Sequence, residues 1–527
     1  MEYQMTALEA ARLRARDRAD KPAFITPTRT WTFAQTDAFS NRIAQGLLAL
    51  GVGHGDRVAI LTKQTVECLA LMLAAQKIGA VCMPVNWRLA PPEIAYVVDH
   101  GEAKLLVADA EFLPAVAGLE LAHVKLRLIT DRAVAGGPRL LGDWAAGYPD
   151  EDPGYDGQRD DTALQLYSSG TTGLPKGVEL SHRSLAAGFE RAVPECIEYT
   201  GGDSVMLNAL PTFHIAGIGM ALIAYMAGGT SVMMPDFDPA KVLEAIEEHR
   251  ITHAFLVPAM IQFMLQVPGA DRRDYSSLKA ISYGASPISE RVLVDALRTF
   301  KCNFVQVYGL TETTGAISAL PPEDHVVEGP KAVLLRSAGK AIRGVELGVF
   351  DPATGDRLPD DEVGEIWIRS AQNMKGYWRN PKATADAFVG LDERGIGWFR
   401  SGDAGYMRGE YVFMHDRIKD MIISGGENIY PAEVENVLMK HPAVADGAVI
   451  GVPDPTWGEA VKAVVVPRPG VALTGAEVIA FMRERLAHYK CPKSVDIVKE
   501  IPRNPSGKIL KRVLREPYWK DRDRNVA

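Results

Sequence analysis

The chain reads as an α/β protein: a large N-terminal domain of layered, mostly parallel sheets with a small β-barrel, followed by a small α+β C-terminal domain. Three observations predict this. Short apolar runs alternate with helical patterns from the N-terminus to about residue 335, residues 340–415 switch to short strands between Gly, Pro and Asp turns, and helix returns after Asp416. With 527 residues, the chain also exceeds what one hydrophobic core serves, so more than one domain is expected.

The first strands are written as short apolar runs. Residues 58–61, 105–108, 205–209, 254–257 and 304–307 read as strands buried on both faces, as in parallel sheets covered by helices. One intervening helix is spelled out from its start: Asp238 caps, Pro239 suits the first helical position, and Val242, Leu243 and Ile246 share one apolar stripe. Strand, helix, strand in repetition predicts α/β layers. Residues 215–235 carry no charge but are interrupted by Gly217, Gly219, Gly228 and Gly229, which fits a buried helix and strand better than a membrane span. Residues 345–350, 365–369 and 411–414 are short strands of an antiparallel unit at about 340–415. Farther on, 432–439 is helical, 444–452 and 460–466 are strands, and Thr474-Gly-Ala-Glu477 is a capping box opening another helix.

Composition narrows the function. Apolar content of 47% and charged content of 24% are those of a globular protein, not a disordered one. The net charge of −8 argues against general affinity for nucleic acid or anionic lipid, both of which need a basic face. Cys68, Cys82, Cys196, Cys302 and Cys491 are odd in number and far apart, which predicts buried thiols in a reducing compartment rather than a disulfide frame or zinc site. The first residues hold no apolar signal core, and residues 9–21 are dense in charge. A cytoplasmic protein with no integral membrane segment is expected.

The chemistry concentrates in a few motifs. YSSGTTGLPKGVELSH, residues 167–182, brings Ser168, Ser169, Gly170, Thr171, Thr172 and Lys176 onto the end of an apolar strand. Glycines let successive N–H groups face one anion and hydroxyls add donors, so this loop can cradle phosphates. No Gly-Lys-Ser/Thr triplet closes it, which sets it apart from the common NTPase loop, and the same composition also suits a plain linker. YGLTETTG, residues 308–315, follows the 304–307 strand where α/β sheets open their ligand crevices. Tyr308 can lie there on a purine, Thr311 can bond a phosphate, and Glu312 can hold Mg²⁺, which prefers oxygen ligands. A helix start capped by Thr311 is the simpler alternative. Asp403 can accept from ribose hydroxyls or cap a turn. Arg417 and Lys508 are cations whose default place is solvent.

In this order the motifs resemble the adenylate-forming superfamily of acyl-CoA synthetases, peptide adenylation domains and luciferases, over nearly the whole length. The resemblance rests on residues 167–177, 210–217 (LPTFHIAG), 308–315, 364–369 (GEIWIR), 401–403, 416–420 and 504–508. Residues 416–435, DRIKDMIISGGENIYPAEVE, are similar to the bacterial fatty-acyl, 4-coumarate and chlorobenzoate CoA ligases. It implies an N-terminal AMP-binding domain at 1–416, a hinge at 417–419 turning on Lys419, and a mobile domain at 420–527. ATP, Mg²⁺ and coenzyme A are implied as co-substrates and cofactor. A carboxylate attacks the α-phosphate of ATP to give acyl-AMP and pyrophosphate, and the CoA thiol then displaces AMP.

By the same resemblance, Lys508 and Mg²⁺ at Thr171 and Glu312 neutralise the first step, where two negative charges about 4 Å apart repel by roughly 4 kcal/mol at an effective dielectric near 20. The hydroxyl loop holds the β- and γ-phosphates, Gly284, Ala285 and Tyr308 flank adenine, and Asp403 and Arg417 hold ribose and phosphate. When the domain turns, Lys508 leaves and Gly425 and Gly426 line the pantetheine channel. His214 is implied to orient carboxylate and thiol. Two departures stand out: Tyr283-Gly-Ala-Ser286 where many relatives have Gly-Gly-Ala-Pro, and Lys419 where several carry Asp.

Phe213, Ile215, Gly217, Phe255 and Tyr283 are the expected acyl pocket. They are apolar, and no acidic residue stands near position 214 to pair an amino acid's ammonium. A fatty, aryl or aryl-alkanoic acid is therefore expected. Transfer to a carrier-protein arm instead of free CoA is the alternative, disfavoured by Gly425-Gly426 and by the short stretch between Gly315 and Gly364. A non-catalytic nucleotide binder is a third, disfavoured by the joint presence of Glu312, Asp403, Arg417 and Lys508. Relatives include monomers and dimers, so a homodimer is admitted.

Overall fold

A computed structural model describes residues 5–168, 174–199, 201–285, 288, 290–417, 422–429, 431–502, 509 and 511–520. Among them the strands form three sheets, of 14, eight and five strands.

The largest sheet has a parallel centre. Thr230–Met233, Val205–Asn208, His253–Leu256, Ala280–Gly284 and Asn303–Leu310 run side by side in that order. The chain then reverses, and Gly315–Leu320 pairs antiparallel with Asn303–Leu310. The expected antiparallel unit follows as Val345–Phe350, Gly364–Ser370, Trp398–Arg408 and Tyr411–Arg417. It is hydrogen-bonded onto the parallel strands through Lys340–Ala341, so it continues the large sheet.

The second sheet holds Val81–Pro84, Arg57–Leu61, Ala103–Ala108 and Leu126–Ile129 in parallel. At its other end Thr162–Ser168 and Lys176–Ser181 form an antiparallel hairpin, with Ser168 directly opposite Lys176. The third sheet is built only from residues 422–497: Glu427–Ile429, Ile422–Ser424, Gly458–Pro467, Val444–Asp454 and Ser494–Ile497.

Two helices explain how the layers pack. Val66–Gln76, with the sequence VECLALMLAAQ, is buried at every position but Glu67, and Ile215–Met226 is buried from Gly217 onward. A helix apolar all round belongs between layers rather than on a surface. Both contribute to the largest core, where Tyr225 packs against Phe24 and Phe33. The charge-free 215–235 stretch is thus a buried helix and a buried strand, as expected. No helix among the described residues is long and apolar enough to cross a membrane. The helix Pro239–Glu248 begins as its sequence indicates, with the Asp238 carboxylate accepting from the N–H groups of Ala240 and Lys241. The capping box at Thr474 and Glu477 is likewise formed.

Candidate active site

The reversal after Asn303–Leu310 creates the first part of the site. Residues Thr311–Thr313 make a single 3-10 turn, and the Thr313 hydroxyl accepts from the Leu310 N–H (3.0 Å) and donates to the Gly315 carbonyl (2.9 Å). The side chain that satisfies the N–H of the capping residue Leu310 is therefore Thr313, and Thr311 is left lining the cleft described below. A Cβ on Gly309 would lie 1.9 Å from the Gly315 carbonyl oxygen, so only glycine permits this approach. Glu312 is thereby held over the mouth of the 168–176 hairpin. Its carboxylate accepts from the Ser168 hydroxyl at 2.9 Å and the Tyr377 hydroxyl at 3.2 Å, and the Lys176 ammonium lies 4.8 Å from the Tyr377 ring centre.

Ser169, Gly170, Thr171 and Thr172, the hinge candidate Lys419 and the catalytic candidate Lys508 lie outside the described residues. The oxygen donors that are described here, the Glu312 carboxylate and the Ser168 hydroxyl, are the hard donors that suit Mg²⁺. Thr171 and Glu312 remain its candidate ligands.

The nucleotide candidates form an adjacent group. Gly284 is in register with Val307, next to Tyr308, and a Cβ on Gly284 would lie 2.3 Å from the Val307 carbonyl oxygen. Ala285 follows with a left-handed φ of 65°, a conformation that costs a non-glycine residue on the order of 1–3 kcal/mol and concentrates at ligand sites. The Tyr308 hydroxyl donates to the Asp403 carboxylate at 2.7 Å, while Asp403 is only 3% exposed and pairs across the strands with the Arg417 backbone.

A third group crosses between the sheets. His214 precedes the helix Ile215–Met226, and its Nε2 lies 3.1 Å from the Glu427 carboxylate. Glu427 also pairs with the Arg88 guanidinium. Burial alone would raise the Glu427 pKa, but the charges and hydrogen bonds of His214 and Arg88 outweigh it and hold this carboxyl below its ordinary value. A cleft of about 120 Å³ joins the first and third groups, lined among others by Asn86, Ser168, Phe213, His214, Glu312 and Glu427. A larger groove of about 1040 Å³ beside Arg183, Lys375 and Leu391 contains none of the expected residues.

Glu427 arrives on a hairpin whose turn is Gly425-Gly426. Ser424 pairs with Glu427, and the two glycines between them have φ of 60° and 81°. A two-residue hairpin turn with both φ positive is the geometry that glycine pairs serve. The turn packs against both halves: a Cβ on Gly425 would meet the Trp457 ring at 2.7 Å, and one on Gly426 would be 3.5 Å from Val257.

The expected acyl pocket is gathered only in part. Phe213 lines the cleft, with Trp87 edge-on at 6.1 Å, and Ile215 faces Gly315. Gly217 is required by backbone approach, since a Cβ there would lie 2.0 Å from the Pro211 carbonyl oxygen. Phe255 packs into the largest core beside these residues. Tyr283 does not join them. The register pairs Phe255 with Ser282 and Leu256 with Tyr283, so Tyr283 shares a face with Leu256 and turns away from Phe255. Its ring is fully buried in a separate core against Phe304, and its hydroxyl meets His325 Nε2 at 3.0 Å.

Arg88, Tyr377 and Glu427 were missed in the sequence reading. Glu427 stood directly after the Gly-Gly turn, a position that a hairpin reading would have aimed at the same site as the glycines. Arg88 and Tyr377 carried no spacing that marks them.

The profile of the AMP-binding enzyme family matches residues 11–378, and that of the AMP-binding enzyme C-terminal domain matches residues 433–508. The chain is 39% identical over 526 residues to the fatty acid–[acyl-carrier-protein] ligase ScoC of Streptomyces coeruleorubidus, covering 99% of this chain and 98% of that protein. It is 39% identical over 493 residues to a feruloyl-CoA synthase of an Amycolatopsis species, covering 92% and 94%. Among solved structures, the amide bond synthetase McbA from Marinactinospora thermotolerans superimposes with a TM-score of 0.85 at 31% identity, covering 98% of this chain and 100% of that one.

Proposed function

We propose, for a chain that belongs to the AMP-binding enzyme family, that it is an ATP-dependent acyl-CoA ligase. It converts a hydrophobic carboxylic acid, ATP and CoA to acyl-CoA, AMP and pyrophosphate through an acyl-adenylate. The observation that carries this reading is the single cleft onto which Ser168, Glu312, His214 and Glu427 converge from three sheets.

In the first half, Lys508 cancels charge as the carboxylate approaches the α-phosphate, and the 168–176 loop grips the leaving pyrophosphate. Mg²⁺ bound by Thr171 and Glu312 would add Lewis-acid stabilisation of the same charge. Tyr308, Gly284 and Ala285 seat the adenine, with Thr311, Asp403 and Arg417 on phosphate and ribose. In the second half the C-terminal domain, 420–527, turns at 417–419 about Lys419. Gly425 and Gly426 then border the pantetheine arm, and His214 orients thiol and acyl carbon. The protein is taken to work in the cytoplasm, as a monomer or homodimer.

A pyrophosphate-release screen over fatty, aryl-alkanoic and cinnamic acids, with and without CoA, tests the reading. The expected result is acid-dependent release and saturable thioester formation with free CoA. Lys508→Ala should abolish adenylation while leaving thioester formation from supplied acyl-AMP largely intact. If both halves fall together, the role given to Lys508 is wrong. A second reading, loading of a carrier-protein arm, is favoured by the near full-length similarity to the acyl-carrier-protein ligase ScoC. Thioester formation on a carrier protein but not on free CoA would establish it.

A further inference from the structure

The segment 486–491 of the C-terminal half is docked on the N-terminal half by a contact that adjoins the cleft, which Tyr489 and Lys490 also line. Glu93, in the first turn of the helix Pro91–His100, is its centre. One carboxylate oxygen accepts the Ala90 N–H at 2.8 Å, which starts the helix, and also the Ala487 N–H at 2.9 Å from across the boundary. The other oxygen lies 3.2 Å from the Lys490 ammonium. The Lys490 side chain is only 3% exposed and that of Glu93 11%. Ala487 is buried in the N-terminal core that includes Leu61, Met83 and Ile94, and the Tyr489 hydroxyl accepts from the Asn86 amide at 3.0 Å.

From this geometry we infer that Glu93 is a positioning residue: a docking latch that holds the C-terminal half in the orientation bringing Glu427 and the Gly425-Gly426 turn to His214. The inference rests on the ligase reading, because only a two-step enzyme needs that orientation to be both made and released. The chemistry suits a reversible contact. An ion pair buried inside one domain strands a charge when broken. Here each partner belongs to a different half, so separation returns both charges to water. On docking, desolvation of Lys490 is offset by the carboxylate, by the Ala487 hydrogen bond and by burial of the Ala487 methyl. Glu93 touches none of the reacting groups described above and acts by fixing where Glu427 arrives.

Glu93→Gln in the full-length enzyme is the test. The glutamine carbonyl can still accept from Ala90 and Ala487, so the helix start survives, but its amide faces Lys490 with a donor. Acid-dependent ATP–pyrophosphate exchange should change less than about twofold, while acyl transfer to CoA from preformed adenylate should slow about tenfold or more. Lys490→Met should give the same split, and the double variant should be no slower than the slower single one. Hydrogen exchange across 486–491 should rise in both single variants. Equal loss in both half-reactions, with a lowered melting temperature, would mean a merely structural role and overturn the latch, as would unchanged transfer and exchange protection. If the wild type forms adenylate but no thioester with CoA, the ligase reading falls, and protection of 486–491 still decides whether Glu93 holds the two halves together.

Discussion

His182 shows how one buried side chain ties stability to pH. It is 2% exposed just after the strand Lys176–Ser181, and burial lowers its pKa from 6.5 to about 4 against the smaller opposing pull of Asp161 and Glu9. The folded state keeps this imidazole neutral, whereas the unfolded chain protonates it below about 6.5. Its contribution is therefore complete above pH 6.5 and is lost as pH falls toward 4, a change on the order of 3 kcal/mol. Urea unfolding at pH 7, 5.5 and 4 should show a steeper acid loss for wild type than for His182→Gln. Parallel slopes would place the acid sensitivity elsewhere. Other site residues divide between legible and hidden at this scale. Glu312 and Tyr308 announced themselves by type and position, whereas Arg88 is an ordinary surface-type cation until the fold sets it beside Glu427.

At the scale of elements, the connection from Asn208 to Ile215 is closely constrained. It runs over a proline, presents Phe213 and His214 to the cleft and starts a buried helix. The approach of Gly217 to the Pro211 and Leu210 carbonyls leaves no room for a methyl group. Gly217→Ala should therefore displace this connection, costing about 1–3 kcal/mol in denaturant titration and weakening acid binding more than ATP binding. A variant as stable and active as wild type would show that the turn adapts freely. The elements themselves were largely legible, because apolar runs, caps and turn glycines are local signals. Tyr283 was misjudged for a related reason: strand periodicity fixes that neighbours alternate faces, but only the observed register sets Tyr283 beside Leu256 and opposite to Phe255.

Across the whole molecule, His214 and Glu427 meet from parts of the chain 213 residues apart. Such a pair reports domain placement directly. A double-mutant cycle of His214→Ala and Glu427→Gln should give a coupling of about 1–3 kcal/mol for acyl transfer and little for adenylation. Equal coupling in both steps would mean that the contact is not specific to one orientation. Arg88 and Glu93 belong to the same surface of the N-terminal half, one facing Glu427 and the other Lys490. The docked orientation is therefore held at two points, and Glu427 of the first and Lys490 of the second both line the cleft.

The sequence by itself determined the layer architecture, the family and the residues proposed for the nucleotide site, because these rest on local patterns: apolar periodicity, Gly- and hydroxyl-rich turns, and motif order. It identified the Gly425-Gly426 pair, whose positive φ values a hairpin demands. Only the tertiary structure decided that this hairpin carries Glu427 to His214, that Glu93 serves both its own helix and a segment nearly 400 residues away, and that Tyr283 belongs to a core. Each of those depends on register or on contact between separately folded layers. Nothing in the covalent neighbourhood of a residue records which distant partner will desolvate it.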